Sequence, residues 1–152
     1  MALVGVAARV VKHGLLPAIP AAARVLVLGS FPGEESLRQS QYYAHPRNQF
    51  WPIVGAICSF DARAPYTRRV AALGADGIAV WDVVASCIRS GSLDADIDEQ
   101  SIIVNPFAEF LAQHPHIQRV CFNGRKAEAA WRRYVLVSLP ATLELRYVLL
   151  PS

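Results

Sequence analysis

Charge is scarce in this sequence and cysteine scarcer, and each shortage removes a class of protein. Charged residues make up 18% against 53% hydrophobic, a balance that fits a compact fold and excludes a disordered chain. No apolar run reaches the roughly 18 residues of a membrane-spanning helix. Cys58, Cys87 and Cys121 stand far apart with no CxxC pair, so a zinc or iron–sulfur site is not expected and a reducing cytosol is the simplest setting. His13, His45, His114 and His116 make no metal pattern either. The first 33 residues contain no acid, as in a transit peptide, but Pro17 and Pro20 break any amphipathic helix there and Arg9 interrupts the apolar run. Residues 1–20 are expected to be a loosely attached N-terminal segment, ahead of one domain over 21–152.

Several catalytic signatures are missing as well. No GxSxG elbow is present, which disfavours nucleophilic hydrolysis of esters or peptides. The stretch GSFPG (Gly29–Gly33) matches neither GxxxxGK[ST] nor GxGxxG, so a nucleotide-binding α/β domain has little support. A net charge of +3 is compatible with a polyanionic partner without demanding one.

What remains is a clear order of elements. Arg24–Leu28, Gly77–Asp82, Gln118–Gly124 and Leu145–Leu150 are short apolar runs bounded by turn residues, the pattern of strands buried on both faces. Helices are expected between them: around Asn48–Ser59, over Pro65–Leu73 with Gly74 as its stop, after an Asn105 cap with Pro106 in the first turn, and over Arg125–Tyr134. Alternating strands and helices predict an α/β fold with a parallel sheet. Ser90–Gln100 carries four of the twelve acids and reads as an exposed connection.

Ligands of open α/β sheets bind beyond the carboxyl ends of the strands. That rule selects GSFPG, Trp81–Val83, Phe122–Gly124 and Leu149–Ser152. Asn123 there presents an amide donor and acceptor side by side, although Asn–Gly is also a common turn pair. Asp82 either positions a water or caps a helix beginning at Val83, and the cap is the favoured role. The segment QYYAHPRNQFW (Gln41–Trp51) is either a buried aromatic plug or the floor of a pocket.

In this order and spacing, GSFPGEESLRQSQYYAHPRNQFW, AVWDVVASCIRSGSLDADI, FNGRKA and VLLPS resemble the hypoxanthine-DNA glycosylase branch of the uracil-DNA glycosylase superfamily. The resemblance runs from about Gly14 to Ser152. It implies a three-layer α/β/α sandwich around a four-stranded parallel sheet. The implied activity is to flip a deaminated base out of DNA and hydrolyse its N-glycosidic bond.

Carried over residue by residue, Asn48 of HPRN matches the catalytic amide of this branch. Phe31 stands where other branches keep a catalytic Asp or Asn. Asn123 matches the base-reading asparagine. Phe31, Tyr43 and Phe50 are candidates for a stacking wall, with Ser30 beside them, and Asp82 and His45 are candidate supporting groups. Arg47, Arg125, Lys126 and Ser152 are candidate phosphate contacts.

No Schiff-base lysine is assigned, so a monofunctional enzyme leaving an abasic site is expected. It needs no cofactor or metal and works as a monomer on DNA in the cytoplasm. Relatives continue past the LPS segment into a loop that grips DNA, so a domain shortened at that loop is expected. The rival expectation is a weak homologue that binds damaged or single-stranded DNA without cutting it.

Overall fold

The computed structural model describes residues 10–151. Seven strands follow in chain order: β1 (Val11–His13), β2 (Val25–Gly29), β3 (Ile78–Asp82), β4 (Val84–Ile88), β5 (Ile103–Val104), β6 (Arg119–Phe122) and β7 (Arg146–Leu149). The helices are α1 (Glu34–Gln39), α2 (Phe50–Cys58), α3 (Tyr66–Ala75), α4 (Phe107–Gln113) and α5 (Arg125–Ala130).

The main sheet has four strands in the order β3-β2-β6-β7, and all three pairings are parallel. The four strands read from the sequence are the four found. Covering on both faces explains the apolar character of β2, β3 and β6, but β7, expected to be buried likewise, is the edge strand and is mostly exposed. Leu28, Trp81 and Phe122 share one rung. On that face Trp81 packs against Phe107 and Phe110 of α4, with ring centroids 5.1 and 4.6 Å apart. Phe122 meets Trp131 just past α5 at 5.9 Å. The opposite face sends Ile78 and Val80 toward Trp51 of α2 and Val70 and Leu73 of α3, around an apolar cavity of ≈ 240 Å³. The three layers of the expected sandwich are therefore present.

A second, antiparallel sheet in the order β1-β4-β5 was not foreseen. It corrects two expectations. Val84–Ile88 is a strand, so Asp82 caps no helix; the amides of Val83 and Val84 instead donate to the carbonyls of Gly29 and Ser30 at 2.9 and 3.0 Å. The part of the N-terminal segment that lies within the described residues is firmly tied. Val11–His13 pairs with Ser86–Ile88, and Ala18 exchanges two backbone hydrogen bonds of 2.9 Å with Val80. Residues 1–9 lie outside the described residues.

Three helix boundaries also move. Gly74 lies inside α3, where a Cβ would sit 3.1 Å from Pro20, and the chain turns instead at Gly77, whose φ is +75°. Helix α4 starts at Phe107, behind Pro106. Asn105 caps nothing; its side-chain amide donates to the Asp82 carbonyl at 2.8 Å. The helix begun by α5 widens into a π turn over Trp131–Val135. The acidic stretch Ser90–Gln100 is mostly exposed, but Ile97 is buried and joins Phe31, Val84 and Cys87 in a small second core.

Candidate active site

The carboxyl ends of β2, β3 and β6 form one edge of a cavity of ≈ 290 Å³. Asp82 is the Cα partner of Gly29 across the β3–β2 ladder. Asn123 stands one residue beyond the Leu28–Phe122 pair on the other side, its backbone N–H donating to the Leu28 carbonyl at 2.8 Å. Asp82, Gly29 and Asn123 thus follow one another across the sheet edge. With neighbouring strands about 4.8 Å apart, the outer two backbones lie roughly 10 Å apart. Gly29 contributes no side chain between them.

The other wall comes from GSFPG and from the aromatic segment. Ser30, Phe31, Tyr43, His45 and Asn48 all line the cavity with Asp82 and Asn123. Phe50 does not; it stacks behind Tyr43, centroids 4.0 Å apart and planes inclined by 22°. Tyr42 and Trp51 belong to the main core, where the Trp51 indole donates to the Tyr42 carbonyl at 2.8 Å. Gln41–Trp51 is therefore both plug and pocket wall. Tyr43 makes the division by adopting a left-handed backbone with φ of +54°, and the next amide, of Ala44, donates to Ser36 Oγ at 3.1 Å.

Asn48 is exposed at the cavity rim. Its Oδ1 accepts from the Phe50 amide at 2.8 Å, which satisfies one of the free donors at the start of α2. Among the described residues no partner takes its side-chain NH2 or its second carbonyl lone pair. His45 is also exposed, its Nδ1 accepting from the Arg47 amide at 3.1 Å.

The candidate phosphate contacts are scattered. Arg47 is exposed near the rim, and Arg125 is exposed beside a separate cavity of ≈ 260 Å³ bounded by Gly124 and Leu149–Pro151. Lys126 is engaged in an ion pair with Glu99 and does not line the cavity. Ser152 lies outside the described residues.

Asp82 dominates the electrostatics. The residue is 5% exposed and its Oδ2 has no hydrogen-bond partner among the described residues. Burial above all, with Asp94 adding repulsion and Arg89 opposing it, pushes the carboxyl up to about 7. The Tyr43 hydroxyl is likewise buried without a partner. Burial and then Asp82 raise its pKa, and the neighbouring Asn123 amide works the other way without reaching hydrogen-bond geometry. Lys12 on β1 pairs with Glu34 at the cavity edge and holds that carboxyl below its ordinary range.

Two contributors escaped the sequence reading. Asp94, in the acidic stretch read as a plain connection, accepts the hydroxyl of Ser30. Arg89 is 1% exposed. Its guanidinium donates to the Pro32 carbonyl at 2.7 Å and lies 5.1 Å from the Phe31 ring centre, while Nε and Nη1 find no partner. A lone arginine ending the run VVASCI was the available signal. Among the described residues, no group of three or more His, Cys, Asp or Glu side chains is arranged to hold a metal ion, and no helix is long and apolar enough to cross a membrane.

A parallel α/β sandwich whose polar side chains converge beyond the strand ends has its ligand site at that edge. Residues 16–151 match the family model for the uracil DNA glycosylase superfamily, and the chain belongs to that family. Two relatives narrow the comparison. The chain is 38% identical to the hypoxanthine DNA glycosylase of Methanosarcina barkeri over 117 residues, 76% of this chain and 73% of that one. It is 36% identical to the hypoxanthine DNA glycosylase of Methanosarcina acetivorans, over 77% of this chain and 73% of that one. The solution NMR structure of a candidate uracil DNA glycosylase from M. acetivorans superposes with a TM-score of 0.77 at 30% identity, covering 94% of this chain and 84% of that one.

Proposed function

We propose that the chain is a monofunctional DNA glycosylase that extrudes hypoxanthine from DNA and hydrolyses its N-glycosidic bond, leaving an abasic site. The observation that carries the proposal is the convergence of Asn48, Asn123, Tyr43 and Phe31 on one cavity at the strand ends. The similarity to hypoxanthine DNA glycosylases supports the same substrate.

The chemistry divides by depth. Asn123 offers a donor and an acceptor to the O6 and N1–H edge of hypoxanthine. Adenine presents the reverse pattern, and a buried donor or acceptor left unpaired costs about 1–3 kcal/mol. Tyr43, backed by Phe50, and Phe31 supply flat apolar walls for the ring system. Asn48, at the rim, uses its NH2 group and free lone pair to hold a water facing C1′. An amide cannot deprotonate that water. It has only to position it against a sugar that has already become cation-like as the bond breaks.

A second reading, binding of damaged or single-stranded DNA without excision, draws on the exposure of Asn48 and the use of its carbonyl in the α2 turn. Duplexes and single strands containing inosine, uracil or xanthine, treated with alkali after incubation, separate the two. Strand breaks at inosine that vanish in Asn48→Ala support excision. Retention of inosine DNA with no breaks supports the second reading, and breaks confined to uracil overturn hypoxanthine as the substrate.

A further inference from the structure

Asp82 is the deepest polar group of the cavity, and the water-holding role assigned to Asn48 does not use it. Its carboxyl lies over Gly29: a Cβ on that glycine would come within 2.5 Å of Asp82 Oδ1 and 3.2 Å of the Tyr43 hydroxyl. The carboxyl thus fills the space that a side chain at Gly29 would take, beside the Tyr43 hydroxyl, and two oxygens of this pair, Asp82 Oδ2 and Tyr43 Oη, are buried with no partner among the described residues. Asn123 lines the same cavity from the other side, one strand beyond Gly29. A flat base entering between Asp82 and Asn123 would show its lactam edge to the amide and a ring nitrogen to the carboxyl.

We propose that Asp82 is a catalytic residue, the general acid that protonates the departing purine. This rests on the excision reading above. As the C1′–N9 bond breaks, its electron pair stays on the purine, and the Asp82 O–H proton passes to N7 or N3, so hypoxanthine leaves neutral. Water adds to C1′ and gives up its proton to solvent, and the Asp82 carboxylate regains a proton from solvent before the next turnover. Atoms and charge balance with water as the sole co-reactant.

Depth argues against the other role for this carboxyl, that of a base acting on the water. The water must meet C1′, which stays near the rim with the DNA strand and Asn48, whereas Asp82 is 5% exposed. A general acid works best with a pKa close to the operating pH. The groups around Asp82 are suited to keep it protonated near neutrality. Asp94 repels its charge, Arg89 alone among the nearby cations attracts it, Tyr43 offers a neutral phenol, and Glu34, Glu35 and His45 lie farther out along the lining.

Single-turnover cleavage of an inosine duplex by the wild-type chain and by Asp82→Asn tests the assignment. Wild-type rates should fall tenfold per pH unit above an inflection near about 7. Asp82→Asn should lose about 10²–10⁴-fold at pH 6 and show no such inflection, while half-saturation by inosine DNA shifts little. A substrate-side measurement needs no variant: either 7-deaza- or 3-deaza-deoxyinosine, whichever lacks the proton-accepting nitrogen, should be bound by the wild-type chain and left uncut. Wild-type and Asp82→Asn rates within a few-fold, with parallel pH profiles, would overturn the inference and leave the excision reading standing. Equal cleavage of both deaza substrates and inosine would do the same. Absence of abasic sites with every substrate overturns the excision reading itself, and this role for Asp82 with it.

Discussion

Gly29 and Asp82 are Cα partners across the β2–β3 ladder, and the carboxyl of one occupies the space where the other would carry a side chain. Adding a Cβ at Gly29 places it 2.5 Å from Asp82 Oδ1, well inside van der Waals contact. Gly29→Ala is expected to displace the carboxyl and the Tyr43 hydroxyl, lowering stability by about 1–3 kcal/mol as overpacking does. Urea unfolding measures the stability, and loss of inosine excision beyond that of an equally destabilised core variant such as Val70→Ala measures the effect on the cavity.

The Asp82 carboxyl also makes stability depend on pH. Its folded pKa of about 7 stands above the ordinary aspartate value of 3.8, so the folded state favours the protonated form. Stability is therefore greatest below the unfolded pKa, declines as pH rises between the two values, and is level above the folded one. The full decline is on the order of a few kcal/mol. Asp82→Asn should remove it, so that the variant gains on the wild type in thermal melts at pH 8 but not at pH 4. Parallel pH dependence in the two proteins would contradict this.

Asn48 holds two tasks that substitution can separate. Asn48→Ala removes the acceptor for the Phe50 amide and should cost about 0.5–2 kcal/mol, as loss of a helix cap does. Asn48→Asp keeps that acceptor and should restore stability. Excision by Asn48→Ala should fall at least about 10²-fold at temperatures where the variant is folded, since a misplaced nucleophile has an effect of that size.

Arg89 pulls the Asp82 pKa down while leaving two of its own donors buried and unpaired. Arg89→Met keeps most of the volume and removes the charge. The Asp82 carbon resonance, followed by NMR through a pH titration, should then shift its midpoint upward. An unchanged midpoint would show that Arg89 acts on the Phe31–Pro32 turn alone.

The strands of the main sheet were legible because burial on both faces leaves Val25–Leu28, Ile78–Trp81 and Val120–Phe122 with almost no polar residue to obscure them. The sheet built by β1, β4 and β5 was not, because three-residue and two-residue partners far apart in sequence carry no periodicity of their own. That omission gave Asp82, already a candidate supporting group, the wrong favoured role. Beside Val83 and Val84 an aspartate reads as a helix cap, and only the Gly29 register shows it aimed into a cavity. Asn48 and Asn123 were visible through their motifs, while Phe50 carried the right chemistry for a pocket wall but sits one ring behind it. Lys126 looked free until Glu99, 27 positions away in sequence, came to meet it.

The backbone at Tyr43 has an evolutionary consequence. A tyrosine held at φ of +54° occupies a conformation that glycine or asparagine adopts with less strain, so the residue best for the ring wall is not the residue best for the chain. Selection for thermal robustness alone would drift this position toward Gly or Asn and empty the wall. A lineage that keeps tyrosine here records continuing demand on the pocket, which makes position 43 a marker for sorting active homologues from decaying ones.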